Sequence, residues 1–316
     1  MKMDGFYNAV QASLVIFLLM AVGYVLGRLG WISQKEKGFI SRYCVNVAVP
    51  CNCLVGLLNN LSREDLAEGM WMMVSVLVSV TVSIFVCILL ANLLRLPRNR
   101  WGVFVSMAAF SNTLFIGVPV CHQLFGDAGT PYVMIYYMGH NALFQFVAVP
   151  LVERSGTVAG KKMTAGEKVK DFFCKPPIAG TIFAIVLLLL NLRPPNVIMS
   201  AAGYISNSVT PMALIYCGYI MFELGLKNIR FMKGLPTLMV YRLGVAPVLC
   251  LVFCKLFGMG GLPMSVFIVE SALPVVSQVT VMAGAYGADE QYSATGASLT
   301  TLGSFVTIPI LMLLLG

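Results

Sequence analysis

Ser111-Asn112-Thr113-Leu114-Phe115-Ile116-Gly117-Val118-Pro119 lies in the middle of an apolar block that spans residues 101–124. Three polar side chains followed by Gly and Pro are unexpected in a segment long enough to cross lipid. The proline removes a backbone donor and pushes the residue before it out of helical geometry. An unpaired backbone group in hydrocarbon costs several kcal/mol, so such a break survives only where it is buried in protein or lines a cavity. A second stretch of the same kind, Glu270-Ser271-Ala272-Leu273-Pro274-Val275-Val276-Ser277-Gln278, interrupts the block at 264–287. The pair predicts two broken helices.

Working outward, 59% of the 316 residues are hydrophobic and only 11% are charged, against roughly 25% charged in a soluble domain. The apolar residues fall into ten blocks, at 8–29, 38–60, 70–94, 101–124, 131–152, 174–192, 198–225, 234–257, 264–287 and 291–315. Each approaches the ~20 residues needed to cross the hydrocarbon. The chain therefore reads as an all-α polytopic membrane protein with ten transmembrane helices. The first block is too long for a signal-peptide core and ends without a small-residue cleavage site, so it reads as the first spanning helix.

Basic residues set the orientation. With the N-terminus outside, 16 of the 21 Lys and Arg fall in inner loops and four in outer segments, while Arg242 lies within block eight. The net charge of +8 is then an orientation signal and not a nucleic-acid footprint. Both termini are expected outside a plasma membrane. The polar stretch 153–175 reads as a cytoplasmic connector between a first five-helix half, 1–152, and a second, 176–316.

The halves echo each other. Phe146-Val147-Ala148-Val149-Pro150 returns as Phe305-Val306-Thr307-Ile308-Pro309, and Asn46-Val47-Ala48-Val49-Pro50 as Asn207-Ser208-Val209-Thr210-Pro211, with offsets of 159 and 161. The two interrupted stretches have nearly the same offset. Five helices is an odd number, so the second half enters the membrane from the opposite face. The result is a 5+5 inverted repeat with helices 4 and 9 broken at matching places, which in carriers marks the binding site.

Half-helices starting near Pro119 and Pro274 present free N–H groups and about half a positive charge each, while facing C-termini offer carbonyls to a cation. Such a site favours an anionic or polar solute, with Ser111, Asn112, Thr113, Ser277 and Gln278 as hydrogen-bonding candidates. Glu270 is a candidate for coupling to a proton or cation, since intramembrane carboxylates are usually functional. Structural pairing, or a place nearer the outer interface, are its other readings. Arg242 could hold a substrate carboxylate or pair at a helix end. Glu223 reads as solvated at a helix end, and His122 and His140 as packed polar residues or pH sensors. Tyr132, Tyr136 and Tyr137 read mostly as lipid-facing or interfacial bulk, with an aromatic lining for an aromatic substrate as the other reading. The nine cysteines lie almost entirely in apolar runs and match no zinc or redox spacing.

At these motifs the chain resembles the auxin efflux carrier family, which includes carriers for malonate and other organic acids. The resemblance covers essentially the whole length. It is carried by Asn46…Pro50, Asn112-Thr113…Gly117-Val118-Pro119, Pro211-Met212-Ala213-Leu214, Arg242-Leu243…Pro247, Leu273-Pro274 through Tyr286-Gly287, and Ser304…Pro309. It implies the fold of the bile-acid sodium symporter-like superfamily: a scaffold of helices 1, 2, 6 and 7, and a transport domain of helices 3–5 and 8–10 in which broken helices 4 and 9 cross. It also implies elevator-type displacement and a homodimer, and Asn46 joins the candidate substrate contacts. Val275-Val276 stand where family members often carry an amide after the proline, with Gln278 one turn further on.

No metalloprotease helix, nucleophile elbow or ATP-binding loop is present. The expected function is a secondary transporter of small organic anions, auxin-like or malonate-like carboxylates, and not an enzyme. A channel or sensor reusing a carrier fold is the alternative. Expected partners are the organic anion, membrane lipid and a second copy, with no nucleic acid. No cofactor or metal is expected, and sodium and proton coupling stay open.

Overall fold

A computed structural model of the chain describes residues 2–60, 65–157, 164–225, 232–276 and 278–315. Every regular element among the described residues is helical, with one isolated β-bridge. Helices α1 (Lys2–Arg28) and α4 (Asp65–Leu93) run without interruption, and α17 (Glu290–Leu315) continues through Pro309. Three segments consist of two helices joined through a wide five-residue turn. These are α2 (Gln34–Tyr43) with α3 (Val49–Asn60), α7 (Thr130–Leu143) with α8 (Val149–Ser155), and α13 (Leu235–Val240) with α14 (Ala246–Leu256). In two others the helix breaks outright, between α5 (Arg98–Ala109) and α6 (Val118–Phe125), and between α15 (Gly261–Ala272) and α16 (Gln278–Tyr286). The remainder are α9 (Ala165–Phe173) in the connector, α10 (Pro176–Leu189), and α11 (Asn196–Asn207), which meets α12 (Val209–Leu224) at Ser208.

Five described helical stretches are both long and apolar enough to cross a membrane: Gln34–Asn59, Gly69–Leu93, Asn196–Glu223, Leu235–Leu256 and Glu290–Leu314. Thr113–Phe125 and Gly261–Ala272, the apolar pieces beside the two breaks, fall short of that length because the breaks cut them.

Proline sets the wide turns. Pro50, Pro119, Pro150 and Pro247 each stand two residues past one. The residue before each proline (Val49, Val118, Val149 and Ala246) donates its N–H to the carbonyl five positions back. A proline ring collides with the carbonyl four back and cannot bond to it. A π turn just ahead of the ring moves that carbonyl aside, so the segment continues without an open kink.

Several helices bury small and polar side chains on one face and expose large apolar ones on the other. On α4, Ser75, Ser79 and Ser83 recur every four residues on the buried face with Val76, Val80, Cys87 and Ala91, while Phe85, Leu89 and Leu93 stand exposed on the opposite face. Val248, Val252 and Leu256 make a similar exposed stripe on α14, and Val306, Ile310 and Leu314 on α17. Small inner residues with large apolar outer ones are the pattern of helices that pack in lipid. Between α1 and α12 the backbones nearly touch. A side chain at Gly23 would collide with the Ile215 carbonyl, and one at Gly218 with that of Met20. Only glycine permits that approach at both places.

The loops pair in two sets. Arg98 bonds the Arg154 carbonyl at 3.2 Å, Arg100 pairs with Asp289 at 2.6 Å, and Gln34 and Lys37 both meet Glu223. Separately, Arg193 bonds the Leu58 carbonyl and Trp71 that of Phe257, each at 3.2 Å.

Candidate functional site

The two breaks lie against each other. Ser111 and Val275 form the antiparallel bridge. The Asn112 amide donates to the Pro274 carbonyl at 2.8 Å, and the Val276 amide to the Phe110 carbonyl at 3.4 Å. The backbone groups freed by interruption must find partners, and the neighbouring segments supply them. The Ser111 amide donates to His140 Nε2 on α7 at 3.1 Å, and the Val275 amide to the Thr300 hydroxyl on α17 at 3.2 Å. On the far side of the first break, the Asn112 side chain accepts from the Phe115 amide at 3.3 Å, as an N-cap does.

The half-helix C-termini are held from α13–α14. Arg242, in the turn that joins those two helices, is 1% exposed. Its guanidinium donates to the Ala108 carbonyl at 2.9 Å and to the Ser271 carbonyl. These carbonyls belong to the last turns of α5 and α15. Of the two readings left open for Arg242, the structure has the helix-end one, deep inside the protein. Arg242 does not line the cavity described below.

Glu270 is wholly buried one residue before Ser271. Its Oε1 accepts from the Cys121 thiol of α6 at 3.3 Å, and its Oε2 has no hydrogen-bond partner among the described residues. A Cβ at Gly117 would strike this carboxyl group, so the glycine is what lets α15 and the start of α6 cross so closely. Protein therefore encloses the Glu270 carboxyl on all sides.

Beside the crossing is a cavity of about 380 Å³. From the breaks it takes Ser111, Asn112, Thr113 and Gln278. From α7 it takes Tyr137, His140 and Asn141, and from other segments Ser41, Tyr216 and Lys175. Among the described residues no carboxylate lines it. Phe115 stacks on Tyr216 with ring centroids 4.9 Å apart, joining the broken segment to α12 across the cavity wall. Further along α6 a second cavity of about 280 Å³ is bordered by Asn52, His122, Gln123, Asn207 and Thr210.

The candidate residues divide as follows. Ser111, Asn112, Thr113 and Gln278 share the cavity. Pro119 is buried inside α6, and Pro274 contributes its carbonyl to the bridge; neither lines the cavity. Asn46 is exposed on the turn between α2 and α3 and does not line the cavity, although its neighbour Val45 does. Ser277 falls outside the described residues. Tyr136 and Tyr137 are buried, not lipid-facing. Tyr136 stacks on His140 and meets Phe267 edge-on, and Tyr137 lines the cavity. His140 is also buried, whereas His122 is partly exposed beside Asp127 at 3.2 Å. Tyr137 agrees with the aromatic-lining alternative, whereas the sequence reading missed Asn141, Tyr216 and Lys175 as cavity residues, because none carries a motif and each is distant in sequence from the breaks.

Residues 8–312 match a family described as membrane transport protein. An uncharacterized transporter of Methanocaldococcus jannaschii is 22% identical over 304 residues, covering 94% of this chain and 96% of the relative. An uncharacterized transporter of Methanothermobacter thermautotrophicus is 25% identical over 313 residues, covering 96% and 98%. A Rhizobium meliloti protein named "Putative malonate transporter" is 22% identical over 311 residues, covering 96% and 94%.

Proposed function

Because the chain belongs to the membrane transport protein family, we propose that it is a secondary carrier of small organic anions, with the cavity beside the crossing as its solute site. The observation that carries this reading is the chemistry of that cavity: hydroxyls, amides, an imidazole and Lys175, with no carboxylate among its described lining residues. Thr113 opens the turn that leads into α6 and Gln278 is the first residue of α16, so two half-helix N-termini border the same space. Each contributes roughly half a positive charge. Together with the Lys175 ammonium they favour a carboxylate over a cation, and the cavity volume suits a molecule of several heavy atoms.

The finer architecture belongs to the same proposal: ten spanning helices in a 5+5 inverted repeat, N- and C-termini outside a plasma membrane, and a homodimer through the scaffold helices. The pairing of loops in two sets supports the alternation of sides. Arg98 with Arg154, Arg100 with Asp289 and Lys37 with Glu223 join loops that the basic-residue bias puts inside. Arg193 with Leu58 and Trp71 with Phe257 join loops that it puts outside. In the elevator reading, the segments bearing the crossing slide past α1, α2–α3, α10 and α11–α12. Glu270 is the proposed carrier of a coupled proton. It is a buried carboxyl at the crossing with one oxygen unpartnered among the described residues.

The name of the Rhizobium relative makes malonate the first solute to test. Purified protein in liposomes is expected to take up labelled malonate, or another member of a short-chain carboxylate panel, saturably and with counterflow. Each lost hydrogen bond to a charged group costs about 1.5–3 kcal/mol, so Asn112→Ala should weaken solute affinity by tenfold or more while leaving folded protein. Undiminished uptake by that variant removes the site assignment. Glu270→Gln should flatten the pH dependence of uptake, and an unchanged profile removes the proton role.

A further inference from the structure

We propose that Arg242 is a built-in cation that occupies the place a coupling metal ion would take between the two broken helices, so that transport proceeds without sodium at the crossing. This inference rests on the carrier reading above and adds to it which ion the crossing excludes.

Two helix C-termini converge where α5 and α15 end. Each carries roughly half a negative charge on carbonyls that have no partner within their own helix. Two such ends sum to about one negative charge, and inside a membrane protein something positive must meet them. A monovalent metal ion held by main-chain carbonyls is one solution. This chain has another, since the guanidinium donates to Ala108 of the first end and Ser271 of the second. One unit of positive charge faces about one unit of negative charge.

Three observations separate this role from ordinary pairing. No carboxylate among the described residues lies within ion-pair distance of Arg242, so the helix ends are its partners. The side chain is 1% exposed, and its Nε has no hydrogen-bond partner among the described residues. Its base is also fixed, because the neighbouring Tyr241 is 2% exposed and its hydroxyl bonds Ser83 of α4 at 2.7 Å. A guanidinium keeps its proton in proteins, so the charge is permanent and needs no loading from either side. A sodium ion approaching the same carbonyls would meet a like charge already in place.

The test compares melting temperature and carboxylate uptake in sodium chloride and in choline chloride at equal ionic strength. For the wild-type protein, both quantities are expected to be the same in the two salts. Arg242→Ala is expected to melt lower and to regain part of the loss in sodium or in millimolar methylguanidinium, but not in choline. Arg242→Lys, which keeps a fixed charge, is expected to stay indifferent to sodium. The proposal is overturned by wild-type uptake that requires sodium, or by a wild-type melting temperature that sodium raises above its value in choline. It is equally overturned by an Arg242→Ala protein that responds alike to choline and methylguanidinium. Should Arg242→Ala yield no folded protein, the wild-type and Arg242→Lys arms still decide. Absence of uptake in both salts would count against the carrier reading, while the melting comparison would still test the built-in cation.

Discussion

Thr300 shows how much a single hydroxyl does at the crossing. It is wholly buried, accepts from the Val275 amide at 3.2 Å, and donates back to the Gly296 and Ala297 carbonyls of its own helix. Thr300→Val keeps the shape and orphans a buried N–H, which costs about 1–3 kcal/mol. The neighbouring Thr301 bonds Ala297 of its own helix, so Thr301→Val should cost less than half as much. Unfolding in detergent, followed by heat or denaturant, should rank the two variants in that order. Equal losses would show that Val275 finds another acceptor. Sequence reading reached the residues that interrupt a helix, Ser111, Asn112, Thr113 and Gln278, because a polar group beside a proline in an apolar block is conspicuous. It did not reach Thr300 or His140 as backbone acceptors. A threonine and a histidine on intact helices look the same whether or not a broken strand of chain lies opposite.

Among the elements, the prolines illustrate two outcomes of one constraint. Pro150 and Pro247 each follow a wide turn and leave a continuous segment. Pro119 also follows such a turn, yet its segment breaks a few residues earlier at 110–112, where the Asn112 side chain caps the next turn. Sequence alone marked Pro119 and Pro274 as helix-breakers. It could not separate them from Pro150, because the difference lies in what stands opposite: the two breaks pair with each other, and among the described residues the region around Pro150 has no such partner. Asn46 fails as a cavity residue for the same reason. Its motif marks a turn in the path of the chain, and that turn points it outward. Just ahead of α9 stands Thr164, whose amide and hydroxyl both donate to Glu167 at 2.7 and 3.0 Å. These bonds hold the Glu167 carboxyl below its usual range. A carboxylate with a depressed value adds stability above its ordinary titration point, and that contribution disappears as pH falls through the lowered value. Protection of the first-turn amides of α9, corrected for their intrinsic exchange rates, should therefore fall as pH drops below about 4, and a Glu167→Gln variant should not show that step.

For the whole molecule, the sidedness of the loops is the property most open to a direct measurement. Cys174, just past α9, is exposed, while Cys51 is partly covered and the other cysteines are buried. If the connector is cytoplasmic, a membrane-impermeant maleimide should label Cys174 in inside-out vesicles and spare it in intact cells. Labelling from outside would reverse the orientation drawn from the basic residues. The membrane-spanning class was legible in composition, since lipid requires long apolar blocks whatever their arrangement. The cavity was less legible, because Tyr216 and Lys175 reach it from segments that share no motif with the breaks.

The bridge between Ser111 and Val275 is made of peptide groups: Asn112 to Pro274 and Val276 to Phe110. Such a join is indifferent to which side chains hang from it. Substituents at 112, 113 and 278 can therefore be exchanged while the two interrupted segments keep their grip on one another. The polar groups that face the cavity can thus vary independently of the backbone join that holds the breaks together.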